Sequence, residues 1–70
     1  MPLIMAPLNQ EMEIRKIAAE DKTRKHLQEM GITVGSRITL LSSGNNGVII
    51  VVKEGRLCLD GAIARKILVA

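Results

Sequence analysis

Two glycines four residues apart constrain this chain more than anything else in it. They stand in the run Leu27-Gln28-Glu29-Met30-Gly31-Ile32-Thr33-Val34-Gly35. Gly31 follows a charged, helix-compatible segment, which suits the left-handed position that ends a helix. Gly35 precedes Ser36-Arg37-Ile38-Thr39-Leu40, which reads as a strand. A connection of fixed length therefore joins a helix to a strand and dictates where the helix lies on the sheet.

The elements on either side can be read from periodicity. Pro2 and Pro7 predict an extended N-terminal strap, with Leu3, Ile4 and Leu8 packing over a core edge, and Asn9 supplies a turn. Residues 11–15 alternate polar and apolar as a half-buried strand does, with Met12 and Ile14 inward. Ile17 breaks the parity, so a bulge or sharp bend is expected near Arg15 and Lys16. Residues 21–30 read as a short helix with Asp21 as N-cap. Thr23, Leu27 and Met30 share its buried stripe, while Lys22, Arg24, Lys25, Gln28 and Glu29 face water.

Beyond the glycine pair, residues 37–42 form a strand with Ile38 and Leu40 inward. Residues 43–47 make a turn, and the β-branched run Val48-Ile49-Ile50-Val51-Val52 reads as the most buried strand. Glu54-Gly55 reads as a two-residue hairpin turn leading to a strand over 56–60, with Leu57 and Leu59 on one face. A helical turn begins at Asp60 and Gly61, and Ile67-Leu68-Val69 closes the chain as an edge strand able to pair with a copy of itself.

Composition enters when this order is turned into an architecture. Seventy residues make one small domain over 1–70, and the chain has no Phe, Tyr or Trp. Its core must be assembled from Leu, Ile, Val and Met, each worth roughly 1.5–3 kcal/mol when buried. Such a core favours short loops and few layers. The predicted fold is mostly β: a small, partly open antiparallel barrel of about five strands. One short helix is inserted after the first strand and a helical turn precedes the last.

Little in the chain points to chemistry. Its one cysteine, Cys58, reads as a small apolar strand residue; it can form no internal disulfide and fits a reducing cytoplasm. Nothing in the spacing places Cys58 beside His26 as a nucleophile and base, and Gly44 to Gly47 lacks the lysine and helix of a phosphate loop. Catalysis is not expected. For a transition metal, His26 and Glu29, one turn apart on the helix and with Glu20 near its start, are the only nucleus; two ligands make a weak site. The apolar N-terminus is too short to span a bilayer and is broken by two prolines, so a soluble, unprocessed, cytoplasmic protein is expected.

Residues 27–35, read as Leu-x-x-Met-Gly-Ile-x-x-Gly, resemble the Leu-x-x-Leu-Gly-apolar-x-Pro-Gly signature of the FeoA family, small SH3-like barrel proteins of bacterial ferrous iron uptake. The similarity extends along nearly the whole chain: the Ile14 to Ile17 spacing, a basic helix before Leu27, a hairpin and a closing helical turn with Ile67-Leu68-Val69. Val34 stands where the family commonly has proline, Asn9 where it often has glycine and Met30 where leucine is usual.

The resemblance implies a non-enzymatic accessory role as cytoplasmic partner or regulator of FeoB, the membrane ferrous iron transporter with a G-protein domain. Transition metal binding is implied at family level. For partner contact, Lys22, Arg24, Lys25 and Gln28 on the helix and Ile32 and Val34 on the loop are the candidates. Leu27, Met30, Gly31 and Gly35 hold the motif in shape. The net charge of +3 leaves a second class open. A basic barrel could bind RNA through Arg15, Lys16, Arg24, Lys25, Arg37 and Arg56, although no aromatic is present to stack bases.

Overall fold

Five antiparallel strands in the order β4-β3-β2-β1-β5 carry the architecture. The computed structural model describes residues 1–53 and 55–70; the expected Glu54-Gly55 turn thus includes a position outside the described residues. The strands are β1 (Glu11–Ile17), β2 (Arg37–Gly44), β3 (Gly47–Val52), β4 (Gly55–Asp60) and β5 (Ile67–Val69). Helix α1 (Asp21–Glu29) follows β1, and the four-residue α2 (Gly61–Ala64) precedes β5. This is the small, partly open barrel that the strand pattern predicts.

β1 is the strand that turns the corner. Its first residues pair with β2, with Met12 opposite Ile38, and its last pair with β5, with Ile14 opposite Val69 and Ile17 opposite Ile67. Between Ile14 and Lys16 the register with β5 shifts. The extra residue, Arg15, is the bulge that the parity break foretold, and it returns Ile17 to the core while leaving Arg15 and Lys16 consecutively exposed. A second shift, between Leu40 and Ser42, bends β2 and had no counterpart in the sequence pattern.

The inner face is wholly aliphatic. Leu3, Ile14, Leu27, Ile32, Ile38, Leu40, Ile50, Ile67 and Val69 are its fully buried large side chains, and among the described residues no polar or charged side chain is buried. β3 departs from expectation: Val48, Ile50 and Val52 are buried, but Ile49 is half-buried and Val51 is exposed. Its β-branched run is thus a one-sided strand. Both neighbours, β2 and β4, alternate with it, so only every second side chain meets the core.

The ends of the chain also differ from the expected strap. Leu3–Met5 forms a 3-10 turn that buries Leu3, while Leu8 stays exposed. Asn9 adopts a positive φ of 62°, and its N–H donates to the Leu40 carbonyl at 2.7 Å. The outer side of β5 is occupied. The Val69 N–H donates to the Met1 carbonyl at 2.7 Å, and Pro2 bridges to Leu68. β5 is therefore not the open edge that its place in the sequence suggests.

Helix α1 begins at residue 21 as expected, but its N-cap lies one residue before Asp21. Glu20 is the N-cap without a side-chain cap bond, and Asp21 is the first helical residue, where its carboxylate still faces the positive end of the helix. The C-terminal end is as expected, with Met30 as C-cap and Gly31 at φ 86°. Asp60 performs the capping role that Asp21 does not, accepting a hydrogen bond at 2.9 Å from the Ile63 N–H at the start of α2.

Candidate docking groove

Leu27 fixes the helix to the barrel. It is the one fully buried residue of α1, flanked by the half-buried Thr23 and Met30, while Lys22, Arg24, Lys25, His26, Gln28 and Glu29 are exposed. The Leu27 carbonyl also ends the helix, accepting from the N–H groups of Met30 at 3.0 Å and Ile32 at 2.9 Å. Gly31 makes this reversal because its positive φ would cost a residue with a β-carbon about 1–2 kcal/mol. Ile32 then points inward and is completely buried.

This is a correction to the partner-contact set. Ile32 was expected on the loop surface, but it is a core residue, closing the barrel beneath α1. Val34, two residues on, is 64% exposed. A tight turn separates their fates. The Ser36 N–H donates to the Thr33 carbonyl at 3.0 Å, the two hydroxyls lie 2.8 Å apart, and Gly35 has φ 93° at the third position. That is a type II turn, whose second position is where proline is commonly found and where Val34 stands. Backbone bonds then dock the turn on β1: Gly35 N–H donates to the Ile14 carbonyl at 2.7 Å, and Ile14 N–H donates to the Ser36 carbonyl at 2.9 Å.

The result is a groove of about 450 Å³ between β1, α1 and the turn, lined by Arg15, Lys16, Ile17, Arg24, Gln28, Ile32, Thr33 and Val34. Of the candidate contact residues, Arg24, Gln28 and Val34 present themselves here, and Ile32 contributes only to the floor. Lys22 and Lys25 lie on α1 outside the lining. Arg15 and Lys16 join the groove, although they are not among the candidate contact residues. Their signal was present in the bulge itself, since a parity break between two inward isoleucines exposes both intervening residues.

The groove is basic, and its acids lie at its margins. Arg24 pairs with Asp21 one turn earlier on α1. Arg15 approaches Glu13 at 3.9 Å, with both side chains substantially exposed. The cations proposed for a nucleic acid are not gathered in one place. Arg15, Lys16 and Arg24 line this groove, whereas Arg37 pairs with Glu11 at 3.4 Å and lines a separate hollow with Thr39, Val51 and Lys53. Arg56 lies on β4, at the far end of the sheet.

His26 and Glu29 come within 3.8 Å across one helical turn, both about 70% exposed. Among the described residues no third His, Cys, Asp or Glu joins them in a cluster fit to hold a metal. Cys58, expected as an apolar strand residue, is exposed on β4. No described helix is long and apolar enough to cross a membrane.

Known proteins share this fold. The FeoA domain model matches residues 1–70. A curated relative from Methanocaldococcus jannaschii, "Putative Fe(2+) transport protein A", is 32% identical over 68 residues, covering 97% of this chain and 83% of its own. Among solved structures, a crystal structure of an iron uptake regulatory protein, FeoA, superposes with a TM-score of 0.88 at 27% identity, covering 99% of this chain and 93% of that one. A FeoA-like protein from Clostridium acetobutylicum shares the fold, with a TM-score of 0.83 at 22% identity over 100% of this chain and 84% of that one. With a family model spanning all 70 residues and a barrel that superposes on FeoA proteins along its whole length, the chain belongs to the FeoA family.

Proposed function

We propose that the protein is a non-enzymatic accessory of ferrous iron uptake that works in the cytoplasm as a partner of a FeoB-type membrane transporter. Family membership supports the iron-uptake setting. The observation that carries the docking reading is the groove, in which Arg15, Lys16 and Arg24 share a lining with the exposed Val34, above the buried Ile17 and Ile32. Cations at the rim steer an acidic surface and fix its register, and the exposed Val34 supplies apolar contact. Iron is cargo for the transporter in this reading. His26 and Glu29 offer two donors, so any ion they touched would take its remaining ligands from elsewhere.

The test is an NMR titration with the cytosolic domain of a FeoB-type transporter. Shifts are expected at the amides of residues 15–17 and 24–35, with affinity falling as salt rises. Shifts confined to other surfaces, or none, would sink the groove as the docking site. Binding of RNA in place of the domain, with a steep loss on adding salt, would favour the nucleic-acid reading.

A further inference from the structure

A five-stranded open sheet has two outer edges, and the two are treated differently. The outer side of β5 is covered by Met1 and Pro2. β4 ends the sheet at the other side, and among the described residues no strand lies beyond it. Natural edge strands are usually blunted by charged side chains, lysine above all, by proline, a bulge, extreme shortness or a covering helix or loop. β4 carries two charges of opposite sign, Arg56 and Asp60, which repel a strand of either charge alone but match a strand that bears the same pair in reverse. The described part of β4, Gly55–Asp60, contains neither Lys nor Pro, and its register against β3 runs through six consecutive pairs without a shift. Among the described residues it is a regular edge with no strand paired along its outer side.

We propose that this edge pairs with β4 of a second copy of the chain, antiparallel, about a two-fold axis through Cys58. The charge pattern selects that register. With Cys58 opposite itself, Arg56 of each copy faces Asp60 of the other, and Leu57 faces Leu59. Moving the axis to Leu57 or Leu59 sets Arg56 or Asp60 against Cys58 and leaves the charges unmatched. The faces agree as well. Arg56, Cys58 and Asp60 are exposed on the outer face, while Leu57, half-buried, and Leu59, buried, lie on the inner face, so like surfaces continue across the junction. Asp60 already uses Oδ1 to cap α2, which orients its carboxylate.

The β4 edge is a different surface from the groove beside β1. One pair of short strands buries less than the roughly 1,200 Å² of a stable interface, so the dimer exchanges rapidly and fills only at high protein concentration. Directly opposed residues in an antiparallel pair have Cα atoms about 4.5–5.5 Å apart, inside the span of about 4.4–6.8 Å that a disulfide needs. Cys58 is a free, exposed thiol and reports the pairing.

Sedimentation equilibrium of the reduced protein from micromolar to millimolar concentration should move from monomer to dimer mass. Arg56→Glu sets an acid against Asp60 and should weaken the dimer by roughly threefold or more, and Asp60→Asn, which keeps a capping side chain, by somewhat less. A mixture of Arg56→Glu and Asp60→Lys chains should associate better than either alone, because both cross-strand pairs become complementary. Added diamide should couple two Cys58 thiols into one disulfide, accepting their two electrons and two protons, and do so far faster than it couples Ser42→Cys placed in a Cys58→Ser chain. Amide spectra confirm that each variant is folded. A protein that stays monomeric to millimolar concentration overturns the proposal. So does a dimer indifferent to Arg56→Glu, or one that couples equally well through position 42.

Discussion

Ile32 and Val34 are alike in chemistry and two residues apart, yet one is completely buried and the other 64% exposed. Ile32→Ala should cost about 2–5 kcal/mol through a cavity under α1, whereas Val34→Ala should stay within about 0.5 kcal/mol; urea denaturation separates them. If Val34 touches a partner, its alanine variant loses binding with stability intact. Gly31 is the other decisive residue. Gly31→Ala should lose about 1–2 kcal/mol, because its φ of 86° places a β-carbon against the carbonyl. The glycine was legible in sequence. The inward turn of Ile32 was not, because it depends on the Leu27 carbonyl taking the Ile32 N–H and on the space left beneath the helix.

At the scale of elements, the tight junction is where β3 leaves the turn after Asn45 and Asn46. A β-carbon built on Gly47 would lie 2.3 Å from the Leu59 carbonyl oxygen, whereas one on Gly44 meets nothing within 4 Å. Gly47→Ala should therefore disturb the β3–β4 pairing and lower the thermal midpoint, while Gly44→Ala leaves the midpoint nearly unchanged. Hydrogen exchange along β4 would show the local opening. Helix α2 offers a second contrast: Asp60→Ala removes its cap and should cost about 0.5–2 kcal/mol, while Asp60→Asn should be close to neutral. Strand identity and the β1 bulge were readable from periodicity. The one-sidedness of β3 escaped it, since a β-branched run looks the same whether one face or two are covered.

The whole molecule carries two separate surfaces, a basic groove beside β1 and an open edge at β4, with β2 and β3 between these strands. Charge reversal in the groove, Arg15→Glu with Arg24→Glu, should weaken partner binding roughly tenfold at low salt and leave self-association unaltered. Arg56→Glu should do the reverse, and paired titration and sedimentation measurements on both variants check the independence. The wild-type affinity for an acidic partner should also decline as salt rises to physiological strength, since the groove's cations are exposed and screened over about 8 Å.

The sequence by itself determined the element order, the corner at Arg15, the helix end at Gly31 and the family signature over residues 27–35. All of these rest on local backbone geometry or on side-chain periodicity along one segment. Only the tertiary structure decided which residues share a surface. It brought Arg15 and Lys16 beside Arg24, left Lys22 and Lys25 outside the groove and withdrew Ile32 into the core. It also moved the open edge from β5 to β4, because the first two residues fold back onto Leu68 and Val69. Each of these is a pairing between segments distant along the chain, and neither propensity nor period encodes the partner in such a contact.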